Sequence, residues 1–152
     1  MKITDVEVIH CRTMNQGRRA GTRWGYGVWL DAEETEGTVA ITRISTDEGI
    51  TGHMLGGNKA TMEGPVKQLL VGENPLNREK LWHWMDQMST FGHSLTEHEL
   101  GVVECALWDL AGQKAGLPVY QLLGGTREKI EAYASTYPNL GGPEVYVELA
   151  QD

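Results

Sequence analysis

Hydrophobic and polar residues alternate at the start of the chain, in the stretch "ITDVEVIH". Val6 and Val8 fall on one side of an extended backbone, while Asp5 and Glu7 fall on the other. This period of two residues is typical of a strand with one buried and one solvated face. We therefore predict a first strand over residues 3–10.

The same alternation returns in "TVAITRIST", residues 38–46, and in "ITGHML", residues 50–55. Asp47, Glu48 and Gly49 lie between these stretches and predict a short turn, with glycine where a positive φ is expected. We predict a β-hairpin over Thr38–Leu55. The first strand joins this hairpin in a three-stranded antiparallel sheet.

The connection between the first two predicted strands, residues 13–37, is long and rich in glycine. It contains glycine at positions 17, 21, 25, 27 and 37. We interpret it as an irregular segment. A connection of this length inside a compact domain is either disordered or functional.

Apolar residues take a helical spacing after residue 76. In "NPLNREKLWHWMDQM", Asn77 is a candidate N-cap, and Leu81, Trp82 and Met85 form an apolar stripe. We therefore predict a helix that begins at Asn77.

A longer helix is predicted from near Thr96. Thr96 and Glu99 have the spacing of a capping box, and Ser94 with Glu97 has the same spacing two residues earlier. Its apolar stripe consists of Leu100, Val103, Leu107 and Leu110 or Ala111. Gly101, Cys105 and Gly112 keep a second face small for close packing. We expect this helix to be buried on two sides.

The pattern changes again after this helix. A Gly-Leu-Pro break at residues 116–118 and a double glycine at residues 124–125 end the helical region. "IEAYAST", residues 130–136, alternates like a strand, and Pro143 is suited to the first position of a further helix. A strand followed by a helix that is still continuing at Asp152 predicts one unit of a larger α/β array.

The composition limits the possible functions. Hydrophobic residues make up 40% of the 152 residues and charged residues 22%, which is typical of a globular domain. The net charge of −8 argues against a protein that binds nucleic acid. The basic cluster Arg18, Arg19 and Arg23 is small and suits an anionic small molecule. No apolar run is long enough for a membrane span, so we expect no membrane partner.

The cysteines and the N-terminus favour a cytoplasmic location. Cys11 and Cys105 are far apart in the sequence and lie in predicted regular structure, so we expect reduced, buried thiols. The N-terminus carries Asp5 and Glu7 and lacks the continuous apolar core of a signal peptide.

Several residues suggest chemistry but are interpreted as structural. Glu104 and Asp109 are five apart in a helix and lie on different faces, so we expect an ion pair or a cap rather than a catalytic pair. His93 and His98 do not have the spacing of a zinc-protease helix, and we reject metal binding there. The tryptophans at helical spacing are interpreted as core or interface residues: Trp82, Trp84 and Trp108.

Three stretches together resemble the enolase superfamily, specifically the mandelate racemase and muconate lactonizing enzyme group. They are "MKITDVEVI" with "TVAITRISTDEGITGH", then "GENPLNREKLWHWM", and finally "VVECALWDLAGQKAGLPVYQLLGG" followed by "IEAYAST". The last stretch is the most specific. The resemblance extends over nearly the whole chain and is weakest over Thr13–Gly37.

This resemblance implies an α+β fold in two parts. Residues 1–127 would form a capping domain, a three-stranded antiparallel sheet followed by a helical bundle. Residues 128–152 would be the first β/α unit of a truncated TIM-type barrel. A complete barrel takes about 250 residues, so the resemblance implies that this chain is a fragment.

The resemblance also implies a reaction. Members of the group abstract a proton alpha to a carboxylate and stabilise the resulting enediolate on a divalent metal, usually Mg²⁺. Their bases and metal ligands lie on later barrel strands, so no catalytic residue and no metal ligand is assigned in this chain. We expect an acid-sugar dehydratase, inactive as the fragment alone, and a homo-oligomer. The alternatives are a racemase, epimerase or cycloisomerase, or a stand-alone binding or assembly module.

Two loops of the capping domain close over the barrel mouth in this group. One corresponds to Gly21–Tyr26, where Arg23 would pair with a carboxylate or reach a hydroxyl group, and Trp24 and Tyr26 would form a pocket wall. For each of these residues the alternative is a solvated side chain or an internal anchor of the loop.

The second loop corresponds to Gly52–Gly57. Here His53 would hydrogen-bond a polar substrate; many relatives have tryptophan at this position, and a loop histidine without a substrate role is the alternative. Ser135 and Thr136, at the end of the predicted barrel strand, would also contact the ligand, or simply end the strand.

Overall fold

A computed structural model describes residues 1–15, 18–21, 28–31, 35–92, 95–127, 129–131, 142–144 and 147. The strands are β1 (Ile3–Asn15), β2 (Arg18–Gly21), β3 (Val28–Asp31), β4 (Thr35–Thr46) and β5 (Thr51–Leu55). The helices are α1 (Lys59–Thr61), a π-helical segment (Met62–Val66), α2 (Lys67–Leu70), α3 (Arg78–Gly92), α4 (Glu97–Ala115) and α5 (Val119–Leu122).

The predicted hairpin and the predicted three-stranded antiparallel sheet are confirmed. The strand order is β1-β4-β5, and β4 pairs antiparallel with β5 from Ile41↔Leu55 to Ser45↔Thr51. The turn is closed by Thr46 N–H, which donates to Ile50 O at 3.1 Å. Gly49 has φ +78°, so the expected left-handed glycine is present in the turn.

The glycine-rich connection is more regular than predicted. β1 extends to Asn15, β4 begins at Thr35, and β2 and β3 form a two-stranded antiparallel sheet of their own. Its register runs from Arg18↔Asp31 to Gly21↔Val28. The prediction of a wholly irregular segment is therefore wrong. Backbone hydrogen bonds between strands do not require hydrophobic and polar side chains to alternate. The frequent glycines leave no such alternation from which these short strands could be predicted.

One apolar core joins the inner side of the sheet to the helices. It contains Val6 and Val8 of β1, as the alternation predicts, and Leu81 and Met85 of α3. The α4 stripe is confirmed at Val103, Leu107, Leu110 and Ala111, whereas Leu100 is only partly buried. The side chains that alternate or recur at helical spacing thus meet in a single cluster.

Both ends of α4 follow the local signals in the sequence. Thr96 Oγ1 accepts a hydrogen bond from Glu99 N–H at 3.2 Å, and Glu99 Oε2 accepts one from Thr96 N–H at 2.9 Å, which is a capping box. Gly116 ends the helix in the left-handed conformation, with φ +65°. Ser94, of the alternative capping box, lies outside the described residues.

Hydrogen bonds also control the charge of Glu99. Burial raises the pKa of its carboxyl group. Hydrogen bonds from the Thr96 backbone, the Thr96 hydroxyl and Thr61 outweigh burial, and the net effect lowers the pKa. The capping carboxylate is therefore held in its ionised form.

The start of α3 is confirmed as well. The helix begins at Arg78, directly after Asn77, and Asn77 O accepts the first helical hydrogen bond from Leu81 N–H at 3.1 Å. The predicted burial of the cysteines is wrong for Cys105, which is exposed; Cys11 is half-buried, and both thiols are free. Cys105 lies two residues from both Val103 and Leu107, on the opposite side of α4 from the core.

The second face of α4 is covered only at its C-terminal end. A methyl group on Gly112 would lie 3.0 Å from Leu117 O and 3.4 Å from Val119 Cγ2, so this glycine packs against α5 and the turn before it. A methyl group on Gly101 would have no described atom within 4 Å. Burial on two sides is therefore correct near Gly112 and wrong near Gly101 and Cys105.

The C-terminal residues are described only in part. Lys129–Glu131 have no regular structure, so the predicted strand does not include Ile130 and Glu131; residues 132–141 lie outside the described part. Pro143 and Glu144 are helical, as predicted. The chain divides into two compact units, Met1–Cys11 with Thr38–Thr126, and Arg12–Gly37 with Arg127–Asp152. The division into capping domain and barrel at residue 127 stays a prediction.

Candidate functional site

Of the six residues predicted to contact the substrate, His53 lies within the described part of the chain. It lies in β5, the edge strand of the sheet, and its side chain is 44% exposed. The other predicted contacts lie outside the described residues, and for them the prediction is untested: Arg23, Trp24, Tyr26, Ser135 and Thr136. The candidate site is therefore built around the Gly52–Gly57 segment.

Gly52 places β5 directly against the backbone of α4. A methyl group at this position would overlap Ala106 O and lie 2.8 Å from Leu110 Cγ. Neither a backbone carbonyl nor a fully buried leucine moves cheaply. The close approach of strand and helix therefore requires glycine at this position.

Hydrogen bonds from α4 hold the residues on either side of Gly52. His53 N–H donates to Asp109 Oδ2 at 2.9 Å, and Gln113 Nε2 donates to Thr51 O at 2.7 Å. Asp109 and Gln113 are four residues apart and share one side of the helix. Since β5 is an edge strand, its outer backbone groups have no strand partner. Side chains of α4 take the place of the missing strand.

A second set of contacts fixes the other end of the segment. Gly56 N–H donates to Ala40 O at 2.7 Å, and Thr42 Oγ1 donates to Gly56 O at 2.8 Å. Gly56 and Gly57 have φ +100° and +102°, which disfavours any other residue. A methyl group on Gly57 would also overlap Thr42 Oγ1. The segment is a fixed turn rather than a loose loop.

Three consecutive side chains at the end of β5, directly before this turn, are exposed to solvent. They are His53, Met54, which is 37% exposed, and Leu55, which is 61% exposed. Side chains alternate along a strand, so Leu55 shares the face of His53 and Met54 lies on the other face. The imidazole offers a hydrogen-bond donor and an acceptor. The face that carries His53 and Leu55 can therefore contact both a polar and an apolar part of a ligand.

His98 also lies beside the segment, and sequence reasoning missed this position. Its Nε2 would be 3.4 Å from a methyl group on Gly56. The sequence does contain a signal, because the residues of α4 that face the segment or β5 recur at helical spacing: His98, Val102, Ala106, Asp109 and Gln113. Only the packing of α4 against β5 in the structure shows what this side of the helix contacts.

The charge of Arg43, the cross-strand neighbour of His53, is already neutralised. Arg43 pairs with His53 across β4 and β5, and its Nε donates to Glu7 Oε1 at 2.9 Å. The Nη2 atom contacts the same carboxylate oxygen. A partly exposed ion pair of this kind leaves little net charge to attract an anionic ligand. His53 is therefore the more available polar group on this surface.

Glu104 and Asp109 do not form a catalytic pair, as predicted. Glu104 faces α3, where its Oε1 lies 3.7 Å from Arg78 Nη1, and the Arg78 guanidinium stacks 3.2 Å from the ring centre of Trp108. Burial is the largest influence on Glu104 and raises the pKa of its carboxyl group; the charge of Arg78 opposes this effect. Asp109 instead caps the backbone of β5.

The described residues do not fit a magnesium site. Among them, no group of three or more histidine, cysteine, aspartate or glutamate side chains is close enough to hold a metal ion. The carboxylate beside His53 already accepts a backbone hydrogen bond through Asp109 Oδ2. No described helix combines the length and the apolar character needed to cross a lipid bilayer.

Comparison with known proteins connects this geometry to a family. The family model "Mandelate racemase / muconate lactonizing enzyme, N-terminal domain" matches residues 32–124. A D-galactonate dehydratase family member from Paenibacillus sp. (strain JDR-2) is 34% identical over 152 residues, which is 99% of this chain and 33% of that protein. A hydrophobic dipeptide epimerase from Enterococcus faecalis is 38% identical over 97 residues, which is 57% of this chain and 26% of that protein.

A solved structure agrees with the fold. The crystal structure of D-glucarate dehydratase from Agrobacterium tumefaciens, complexed with magnesium, superposes with a TM-score of 0.74 and 37% identity, over 88% of this chain and 35% of that one. The chain spans between a quarter and a third of the length of the curated relatives named above. The fold is that of the N-terminal capping domain of these enzymes. Some of the relatives are named for dehydration and others for epimerisation.

Proposed function

The chain belongs to the mandelate racemase and muconate lactonizing enzyme family through its N-terminal domain, and we propose that it is the substrate-capping part of an acid-sugar dehydratase. Two observations support the proposal. The relatives include a D-galactonate dehydratase family member that matches 99% of this chain and a D-glucarate dehydratase whose structure superposes on 88% of it. The exposed imidazole of His53 on the edge strand β5 carries the proposal, because a polyhydroxy acid offers hydroxyl groups that hydrogen-bond an imidazole.

In this proposal the chain binds and encloses the substrate while later barrel strands carry out the proton transfer. His53 hydrogen-bonds a substrate hydroxyl, and Arg23 pairs with the carboxylate. Trp24 and Tyr26 form the apolar wall that excludes water, and Ser135 and Thr136 contact the ligand from the first barrel strand. A magnesium ion bound by barrel residues would stabilise the negative charge that develops on the carboxylate.

Epimerisation is the second candidate, and a specific observation favours it. Leu55 lies two residues after His53 on the same face of β5, and it adds exposed apolar surface beside the imidazole. An apolar side chain at this place suits a substrate with an apolar part. The epimerase relative is named for hydrophobic dipeptides.

A substrate screen of the complete protein separates the two candidates. The protein is incubated with Mg²⁺ and D-galactonate or D-glucarate, and the 2-keto-3-deoxy acid that dehydration releases is detected with semicarbazide. In parallel, L-Leu-L-Tyr is incubated in D₂O, and deuterium at the alpha carbon is measured. We expect magnesium-dependent dehydration. Alpha-deuteration of the dipeptide without dehydration of any acid sugar would favour the epimerase.

The isolated 152 residues should not turn over substrate, because the bases and metal ligands of this family lie on later strands. Purified Met1–Asp152 is assayed under the same conditions as the complete protein. Magnesium-dependent product from this fragment would overturn the assignment as a capping part. The alternative of an independent binding or assembly module predicts cooperative unfolding of the fragment, measured by circular dichroism; a non-cooperative melt contradicts it.

A further inference from the structure

One carboxylate oxygen approaches His53 twice. Asp109 Oδ2 accepts the backbone N–H of His53 at 2.9 Å, and the same oxygen lies 3.8 Å from the ring atom Nδ1. The two residues are 56 positions apart in the sequence, so this contact depends on the packing of α4 against β5. Asp109 therefore touches both the backbone and the side chain of the predicted substrate contact.

The charge of Asp109 distinguishes the two ring nitrogens of His53. A carboxylate is only an acceptor, so it favours the tautomer with the proton on the nearer nitrogen, Nδ1. At 3.8 Å the attraction is electrostatic rather than a full hydrogen bond. In a neutral imidazole the proton on one nitrogen leaves the other as an acceptor. Nε2 is then left to accept a hydrogen bond from a ligand.

The surrounding contacts prevent β5 from adjusting its position. Gly52 has no space for a side chain against Ala106 and Leu110. Gln113, four residues after Asp109, bonds Thr51 O at 2.7 Å and fixes the strand independently of the His53 ring. Asp109 therefore acts on a strand whose register is already set, and Gln113 provides a matched control.

We propose that Asp109 is a positioning residue, which orients the His53 imidazole with Nδ1–H towards Oδ2 and Nε2 towards a hydroxyl group of the substrate. The inference rests on the proposed function in one respect, the role of His53 as a substrate contact. Beyond that role, the proposal assigns Asp109 as the group that orients the imidazole. It also specifies that His53 accepts a hydrogen bond from a hydroxyl group of the ligand.

The first test needs no substrate. The complete protein is labelled with ¹⁵N-histidine, and the His53 ring signals, assigned by their loss in H53Q, are recorded at a pH where the ring is neutral. We expect a protonated Nδ1 and an unprotonated Nε2 in the wild type and in Q113A, and a shift towards the other tautomer in D109A. D109N, which removes the negative charge, covers the case in which D109A does not fold, and it should also weaken the preference for a proton on Nδ1. An unchanged tautomer in both Asp109 variants would overturn the proposal.

The second test is a double-mutant cycle in kcat/KM with the substrate that the complete protein turns over. Loss of an oriented hydrogen bond lowers kcat/KM by about tenfold, so we expect this loss in D109A. In the H53Q background the D109A effect should become smaller, because only the hydrogen bond from the backbone N–H of residue 53 then remains to be lost. The same fold-change in both backgrounds would reduce Asp109 to a structural role. Q113A removes a contact with Thr51 O and none with the His53 ring, so any loss of kcat/KM that it causes should be the same in the wild-type and H53Q backgrounds.

The cycle also separates the two levels of inference. If H53Q leaves kcat/KM unchanged, the substrate contact in the proposed function fails, whatever the tautomer measurement shows. If H53Q lowers kcat/KM and D109A does not, the proposed function stands and the positioning role fails. A tautomer shift in D109A together with a non-additive cycle supports both.

Discussion

The two acidic residues in the middle of α4 lie on opposite sides of the helix and behave differently. Asp109 faces β5, remains 40% exposed, and accepts a backbone hydrogen bond from the edge strand. Glu104 faces α3, lies beside Arg78, and has its pKa raised by burial. On one side of α4 the carboxylate of Asp109 therefore completes the edge of the sheet. On the other side the carboxylate of Glu104 is partly removed from water, which disfavours its charged form.

The comparison extends to the glycines of the same region. On the β5 side, Gly52 and Gly57 have no room for a side chain, whereas a methyl group on Gly101 of α4 would have no described atom within 4 Å. The β5 side of the helix is therefore a close backbone contact that determines where His53 lies. The opposite surface is more tolerant of change, and substitutions should show this asymmetry.

The largest effect is expected for G52A. Its methyl group would overlap Ala106 O, a backbone atom that cannot move without displacing α4. We expect a loss of about 3 kcal/mol in the free energy of unfolding, measured in urea. The matched control is G101A, which should stabilise α4 by about 0.5–1 kcal/mol because alanine favours a helix interior. If G52A and the wild type were equally stable, the contact between β5 and α4 would be no less tolerant of substitution than the opposite surface of the helix.

The next largest effect is expected for G57A. This residue has φ +102° and, in addition, lacks space beside Thr42 Oγ1, so alanine should cost about 2 kcal/mol in unfolding free energy. Gly49 is the control, because it has φ +78° and open space. G49A should therefore cost about 1 kcal/mol, from the backbone conformation alone. A cost of G57A no larger than that of G49A would show that the turn adjusts to the added methyl group.

A smaller effect is expected at the start of α4. T96A removes the hydroxyl of the capping box and should lower the free energy of unfolding by about 1 kcal/mol. Because these hydrogen bonds hold the pKa of Glu99 below its ordinary value, their contribution is present above that value and is lost as the pH falls through the lowered one. T96A should flatten this acid-side loss. An acid-side slope in T96A equal to that of the wild type would contradict this role of the hydroxyl.

The smallest effect is expected for E104Q, and it is seen in the pH dependence. The folded state raises the pKa of Glu104, so it binds more protons than the unfolded state between the ordinary and the raised value. Stability is therefore lost as the pH rises through this window. E104Q should remove that decline in the free energy of unfolding. An unaltered slope in E104Q would mean that Arg78 compensates the burial of this carboxylate completely.

The sequence predicted the hairpin, the start of α3, both ends of α4 and the core stripe, because each depends on residues close together in the chain. Thr96 and Glu99 form their capping box within one turn, and Gly49 closes a turn of a few residues. Burial of the small face of α4 was predicted correctly at Gly112 and incorrectly at Gly101 and Cys105. Small residues on a helix face permit another element to pack closely, but they do not show that one does. Cys105 lies on this face and is exposed.

For the candidate site, the sequence by itself determined that His53 lies in the second strand of the hairpin, and the family resemblance indicated that the Gly52–Gly57 segment contacts substrate. Only the tertiary structure decided that Asp109 and Gln113 complete the edge of β5 and that Gly52 must be glycine. These contacts join residues more than fifty positions apart. The sequence does not indicate which donor a hydrogen-bond acceptor such as Asp109 binds, because the packing of a helix against a strand determines which groups come into contact.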